Sequence, residues 1–140
     1  MLPRFLTPVS RGFALAALVS LAAGCALSPE DKLDREQVLK QQAENFVASA
    51  VQGDWEGLFR MTDGSFDSVD KLKAHLTQPW DTAATLTGGS IASMAWVDDS
   101  TTKVKINWSF LEGSIASYSS ETFVWVWKDG TWKYKGRVLR

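Results

Sequence analysis

The sequence predicts an α+β domain in which helices come first and an antiparallel sheet of four to five strands follows. Two patterns support this prediction. Apolar residues recur with a helical period over the first part of the chain, and from about residue 82 they alternate with a period of two. Because helices and strands occupy separate halves of the sequence, the pattern is typical of α+β proteins rather than of a parallel sheet.

The composition is that of one ordered globular domain. The chain has 140 residues, of which 45% are hydrophobic and 22% charged, and seven are tryptophan, so disorder is excluded for most of its length. No apolar run reaches the ~20 residues that a membrane-spanning helix requires. The single cysteine excludes an internal disulfide, and the net charge of −1 gives no electrostatic reason to expect nucleic-acid binding.

The first 24 residues are typical of an export signal. Arg4 and Arg11 are followed by an apolar stretch over residues 13–23, which is short for a membrane span. Small residues then lead directly to Cys25, the only cysteine of the chain. This junction resembles the bacterial lipoprotein signal, and its residues are Leu21-Ala22-Ala23-Gly24-Cys25.

The resemblance implies a lipid anchor. Cys25 would take a diacylglycerol thioether, become the N-terminus after cleavage and be acylated on its amine, for instance with palmitate. Ala26 stands in place of an Asp that would favour the inner membrane, so the resemblance favours the outer membrane, facing the periplasm. The predicted organisation is a signal peptide over 1–24, a lipidated tether over 25–30 and a domain over 31–140. The alternatives are a plain secretory signal with Cys25 a free thiol, and an uncleaved anchor.

Three helices are predicted after the tether. Gly53 separates the first from the second, and Pro79 stops the third. The expected N-terminal caps are Ser28 for the first helix, Asp54 for the second, and Asp67 or Ser68 for the third. The apolar stripe of the first helix consists of Leu39, Ala43, Phe46, Val47, Ala50 and Val51.

The strands are predicted from alternation and turn residues. The expected segments are 82–87, 91–97, 103–110, 123–127 and 132–138. An Asp-Gly pair predicts a tight hairpin between the last two strands. The segment 123–127 is apolar on both faces, so its second face needs a cover, such as a second subunit.

Along the strands, basic residues alternate with aromatic ones and therefore lie on the opposite face of the sheet. Lys103, Lys105, Lys133, Lys135 and Arg137 are predicted to gather there. The interpretations are a solvated face or a patch that contacts anionic headgroups or lipopolysaccharide.

Three groups of residues resemble the nuclear transport factor 2-like (cystatin-like) superfamily. They are Ala43-x-x-Phe46-x-x-Ser49-Ala50 with Gly53-Asp54-Trp55-x-x-Leu58, then Gly64-Ser65-Phe66 with Ser68-x-Asp70-Lys71-Leu72, and last Trp125-x-Trp127-Lys128-Asp129-Gly130-x-Trp132-Lys133. The resemblance spans about residues 36–138. It implies a strongly curved sheet that closes on three helices as a cone, often with a pocket at its open end and a dimer surface on the sheet. It carries no catalytic residue over to this chain.

Two sets of residues are candidates for a site. His75 flanks the apolar stripe of the third helix, where it is either a partly buried residue near the helix C-terminus or a general base. Four tryptophans lie in successive strands, where they either fill the core or line a cleft for an apolar or planar ligand. They are Trp108, Trp125, Trp127 and Trp132. Neither a metal site nor a cofactor is predicted, because the spacing of Asp63, Asp67 and Asp70 does not fit a calcium loop.

The sequence therefore predicts an envelope lipoprotein whose domain is a non-catalytic binding or assembly module. Its partner would be an apolar small molecule, an envelope protein or a second copy. One alternative is an isomerase or dehydratase that uses His75 and an Asp. The other is a structural or inhibitor protein that acts through its sheet face.

Overall fold

The computed structural model describes residues 26–138. Three helices are followed by four strands, which confirms the α+β prediction. The helices are α1 (Pro29–Gln52), α2 (Trp55–Arg60) and α3 (Val69–Thr77). The strands are β1 (Thr85–Asp98), β2 (Thr101–Glu112), β3 (Ile115–Lys128) and β4 (Thr131–Arg137).

Each helix begins at a predicted cap. Side-chain oxygens accept hydrogen bonds from backbone N–H groups that have no partner within the helix. Ser28 accepts from Asp31 at 3.1 Å, Asp54 from Gly57 at 3.0 Å and Ser68 from Lys71 at 3.2 Å. Of the two caps proposed for α3, Ser68 is therefore the one used. Asp67 instead pairs with the Lys71 ammonium group at 3.0 Å.

The strands form one antiparallel meander in the order β1-β2-β3-β4. The predicted Asp-Gly hairpin joins β3 and β4, with Asp129 and Gly130 at φ values of 55° and 77°. Residues with positive φ at both central positions are characteristic of a type I′ turn, whose twist matches the flanking strands.

The first strand is longer than predicted. The segments 82–87 and 91–97 are predicted as two strands, but residues 85–87 of the first and all of the second belong to the single strand β1. Gly88 and Gly89 do not interrupt it, because both remain paired with β2. Instead, three register shifts let the strand bend without ending.

The core lies between the helices and one face of the sheet. Alternate residues of β2 are buried, as the predicted period of two requires. The stripe of α1 is buried except at its end, where Val51 is 36% exposed. The largest side chains with less than 2% exposure are Trp108, Trp125, Trp132, Tyr134, Phe46 and Phe123.

A close approach of α1 to the sheet is made possible by a glycine. A Cβ atom on Gly89 would lie 2.9 Å from Trp108 Cε3 and 2.9 Å from Val47 Cγ1. A Cβ atom on Gly88, its neighbour, would meet no atom within 4 Å. The absence of a side chain at position 89 therefore lets the indole of Trp108 pack between β1 and α1.

Candidate functional site

The four tryptophans predicted to bind a ligand lie in or beside the core. Trp108, Trp125 and Trp132 are 0% exposed, and Trp127 is half-buried. The ring of Trp125 packs edge-on against that of Phe46, with centroids 5.3 Å apart. A ligand would reach the three buried indoles only by displacing side chains that already contact them. Ligand binding by these residues stays a prediction.

Trp127 is the most accessible of the four. The Arg35 guanidinium lies 4.4 Å from the centroid of its ring, and Trp132 packs edge-on against it at 5.3 Å. Arg35 also accepts, through its carbonyl, the hydrogen bond of the Trp132 indole at 2.8 Å. The two indoles thus hold α1, at Arg35, against the β3–β4 hairpin.

His75 lies in a small aromatic cluster near the end of α3. Its Nε2 and the Tyr134 hydroxyl are 3.0 Å apart and share a hydrogen bond. Phe66 packs 5.0 Å from the imidazole and stacks on the Tyr134 ring at 5.9 Å. The partner of the imidazole is thus a phenol rather than a carboxylate.

The pKa shifts of this pair keep both rings neutral at pH 7. Burial lowers the pKa of His75, and the nearby Arg137 charge lowers it further. Burial raises the pKa of Tyr134 far above its ordinary value of 10.0. A neutral imidazole is compatible with a general base, but its position against Tyr134 and Phe66 equally fits a packed core residue. The role of His75 stays a prediction.

A buried ion pair lies beside this cluster. Arg137 Nε is 3.0 Å from Glu121 Oε1, with both side chains largely buried. The N–H does not point at that oxygen, so the contact is an ion pair without hydrogen-bond alignment. The other Glu121 oxygen accepts the Trp80 indole N–H at 3.2 Å. Arg137 also donates to the His75 carbonyl at 2.5 Å, at the C-terminal end of α3.

The inward position of Arg137 corrects the prediction that it shares the outer face with Lys133 and Lys135. Trp125 pairs with Tyr134 but Val124 pairs with Gly136, so one residue of β4 is skipped. Such a bulge reverses which face the following side chains point to. Gly136, at φ 152°, adopts a conformation that residues with side chains rarely use.

Sequence reasoning missed Glu121 as well, although one signal was present. Glu121 precedes Phe123 and Trp125 at intervals of two, which places it on the buried face of β3. A buried carboxylate requires a positive partner, and the nearest candidate in the sheet pairing is the residue opposite Phe123. That residue is Arg137.

A surface groove of about 330 Å³ lies over this ion pair. Its walls are formed by Pro79, by the end of β4 with Val138 just after it, and by the middle of β3. The lining residues are Pro79, Ser119, Ser120, Glu121, Thr122, Arg137 and Val138. It is polar and open on one side, and it marks the place where β4 leaves the sheet while β3 continues.

A second groove, of about 390 Å³, lies between the C-terminal half of α1 and the glycine pair of β1. Its lining is mainly apolar or small. The residues are Glu44, Val47, Ala48, Val51, Gln52, Gly88, Gly89, Ser90 and Ile91. None of the predicted site residues belongs to it.

Within residues 26–138, no helix is long and apolar enough to cross a membrane. No three side chains of His, Cys, Asp or Glu in the same range are grouped so as to hold a metal ion. The predicted lipidation site, Cys25, lies outside the described residues.

Comparisons with known proteins identify the fold. No family model and no curated protein sequence matches the chain. A crystal structure described as a calcium/calmodulin-dependent kinase II association domain, from Exiguobacterium sibiricum, matches 82% of this chain and 99% of its own at 14% identity, with a TM-score of 0.50. The intermembrane-space region of the chloroplast protein ARC6 matches 71% of this chain and 94% of its own at 15% identity, with a TM-score of 0.41. The first similarity, together with three helices followed by a four-stranded antiparallel meander, assigns this chain the nuclear transport factor 2-like fold.

Proposed function

We propose that this chain is a lipid-anchored protein of the bacterial envelope whose domain is a non-catalytic module for assembly with a protein partner. The observation that carries the proposal is the packing of Trp108, Trp125 and Trp132. With 0% exposure they occupy the interior, where a carrier or an enzyme of this fold would need a cavity. Binding is then left to the surface, where exposed apolar patches are typical of contacts with other proteins.

The N-terminal sequence supports the location. Residues 1–24 and Cys25 resemble a lipoprotein signal, and Ala26 favours the outer membrane over the inner one. Residues 25–30 would then be the lipidated tether, with the domain over 31–140. Two or three acyl chains on Cys25 give stable anchoring, whereas one gives only marginal membrane binding.

The exposed end of the β2–β3 hairpin supports the binding role. Residues 111–118 are exposed on both faces of the sheet. They include large apolar side chains, with Ile115 71% and Tyr118 77% exposed. Large apolar side chains grouped at one projecting end of a domain are typical of a protein contact.

Lipidation is tested on the full chain in bacterial cells. We expect an alkyne analogue of palmitate to label the wild-type protein and to leave Cys25→Ser unlabelled, because the thiol is the attachment point. The labelled protein should sediment with the outer membrane. An unlabelled wild-type protein, or equal labelling of Cys25→Ser, would show that the anchor is absent or elsewhere.

Assembly is tested by photo-crosslinking in the same cells. A benzophenone amino acid at Tyr118 should give protein adducts, because this residue is exposed at the projecting end of β3. The matched control is Lys128, which is exposed at the other end of the same strand. Adducts at neither position, together with a small molecule retained by the mature protein in native mass spectrometry, would favour a carrier instead.

A carrier is the second candidate function because of the groove between α1 and β1. Its lining is mainly apolar, and its volume of about 390 Å³ falls within the range of small-molecule sites. Ala48→Leu should fill part of this groove, because Ala48 lines it from α1 and is exposed. Loss of a retained ligand in that variant would support the carrier and contradict the assembly module.

A further inference from the structure

We propose that two copies of this chain pair through the open segment of β3, residues 115–121, to form one continuous sheet across both copies. The inference rests on the proposed assembly function and names the partner as a second copy. It concerns the edge of the sheet and not its outer face.

The open segment exists because β4 is much shorter than β3. The pairing of β3 with β4 extends from Lys128 to Phe123, and the Val138 N–H adds one bond to the Thr122 carbonyl at 2.9 Å. Beyond that point β3 continues to Ile115, paired with β2 alone. Within residues 26–138, no other strand lies along this side of the open segment.

The outer edge of β4 is covered. The Gln42 amide donates to the Trp132 carbonyl and accepts from the Trp132 N–H, both at 2.9 Å. The loop between α2 and α3 occupies the next position. There the Tyr134 N–H donates to the Met61 carbonyl at 2.7 Å, and the Asp63 N–H donates to the Tyr134 carbonyl at 3.1 Å. A further strand could not pair there without displacing these groups.

The outer edge of β1 is irregular. Its register with β2 shifts at three places, between Leu86 and Gly88, between Ile91 and Ser93, and between Trp96 and Asp98. Bulges of this kind twist an edge strand so that it cannot pair over any length with another strand, which is a common protection against edge-to-edge association.

The open segment has none of these protections. Its pairing with β2 has no register shift. From Gly113 to Ser120 the sequence contains neither a charged residue nor a proline. Charged side chains, prolines and bulges are the usual devices that keep a sheet edge unpaired. The edge is therefore regular, and the charge at its end, Glu121, is buried against Arg137, so residues 115–120 are suited to accept a strand.

The pairing with β4 shows which backbone groups point outward. The Thr122 carbonyl faces the β4 side, and in an antiparallel strand every second residue faces the same way. Ala116, Tyr118 and Ser120 therefore direct their N–H and C=O groups to the open side. An antiparallel arrangement centred on Tyr118 uses all three of these residues, whereas a register centred one residue away uses fewer.

A second copy fits this register by charge and by length. The partner's Tyr118 would lie opposite Tyr118, and the partner's Ser120 opposite Ala116, so no like charges face each other and two aromatic rings pair across the ladder. The partner's β3 begins at Ile115, which would lie opposite Glu121, one residue short of Thr122, to which Val138 of β4 already bonds. The partner strand would thus fill the space that β4 leaves, without overlapping it.

Cysteine cross-linking of the full chain in its membrane tests the register. Residues that exchange both hydrogen bonds have Cα atoms ~5.5 Å apart, within the range for a disulfide. We expect Tyr118→Cys alone to give a disulfide-linked dimer on a non-reducing gel. Ala116→Cys and Ser120→Cys should give one only when both variants are expressed together, because two copies of residue 116 would be roughly 14 Å apart.

Two controls separate this result from other causes. Ser93→Cys places an exposed cysteine on the irregular edge strand β1 and should give no dimer. The wild-type chain reports on Cys25, whose thiol is blocked if it carries lipid. A disulfide-linked dimer of the wild-type chain would therefore contradict the lipid anchor. The edge pairing would then be tested by whether Tyr118→Cys gives more disulfide-linked dimer than the wild-type chain does.

A proline variant provides the second measurement. In Tyr118→Pro the lost N–H points to the open side and makes no ladder bond within one copy, so the monomer should keep its circular dichroism spectrum. We expect the wild-type protein to sediment in detergent as a dimer and the variant as a monomer. Equal sedimentation of the two proteins, absence of the Tyr118→Cys dimer, or adducts only to a different protein would overturn the proposal.

Discussion

Gln42 shows how one side chain can take the place of a neighbouring strand. Its amide makes two hydrogen bonds to the backbone of Trp132, at 2.9 Å each. An amide presents a donor and an acceptor side by side, as a peptide group does. The preceding residue, Gln41, has the same side chain but bonds only to Asn45 on the exposed surface of α1.

Gln42→Leu should therefore destabilise the domain, while Gln41→Leu should not. Leaving the Trp132 N–H and C=O without partners costs about 1–3 kcal/mol, and an exposed substitution changes the free energy of unfolding by about 0.5 kcal/mol at most. Urea unfolding of both variants measures the difference. Equal stability of the two would mean that water replaces the Gln42 amide without loss.

The imidazole of His75 predicts a dependence of stability on pH. Its pKa is below the ordinary value of 6.5 because of burial and the nearby Arg137. Below about pH 6.5 the unfolded chain therefore binds a proton that the folded chain does not, and the free energy of unfolding falls as the pH decreases. His75→Gln, which keeps a hydrogen-bonding group beside Tyr134, should show a smaller decrease between about pH 7 and pH 5.5. Identical profiles of unfolding free energy against pH for the wild type and His75→Gln would show that His75 is not the source of the pH dependence.

Among the contacts between elements, the two adjacent glycines of β1, Gly88 and Gly89, have different roles. Both residues continue the strand, but only Gly89 faces Trp108 and Val47 at a distance too short for a Cβ atom. The contact lets α1 approach the sheet, and it depends on residues from three different elements.

Gly89→Ala should destabilise the protein, and Gly88→Ala is the matched control. Overpacking against Trp108 and Val47 costs ~1–3 kcal/mol, because neither the sheet nor the helix can move away easily. Gly88→Ala meets no atom within 4 Å and should be neutral or slightly stabilising. Thermal unfolding measured by circular dichroism compares the two. A neutral Gly89→Ala would mean that α1 can shift at this point.

At the scale of the whole molecule, Arg137 connects the end of the sheet to the end of α3. Its guanidinium contacts Glu121 of β3 and the carbonyl of His75. Breaking a buried pair from one side costs more than removing both charges, because the remaining charge is left without a partner.

Arg137→Met should therefore cost about 3 kcal/mol, and adding Glu121→Gln should restore part of that loss. The control is Lys71→Met, which breaks the exposed pair with Asp67 and should change stability by about 0.5 kcal/mol or less. Denaturant unfolding of the single and double variants gives the coupling free energy. Additive effects of Arg137→Met and Glu121→Gln would show that the two side chains do not interact.

From the amino-acid sequence one can predict the order of helices and strands, the caps Ser28 and Asp54, and the Asp-Gly hairpin, and narrow the third cap to Asp67 or Ser68. These features depend on neighbouring residues, and local periodicity and hydrogen bonding are enough to specify them. The resemblance that suggested the nuclear transport factor 2-like fold also used patterns of this kind, and the structural similarity confirms that fold.

Features that depend on distant residues became visible only in the folded chain. The bulge opposite Val124 turned Arg137 inward to Glu121, and the burial of Trp108, Trp125 and Trp132 followed from how α1 packs on the sheet. The open segment of β3 likewise depends on where β4 ends relative to β3. A strand's sequence specifies which side chains alternate, but the neighbour along each edge is set by the pairing of the whole sheet.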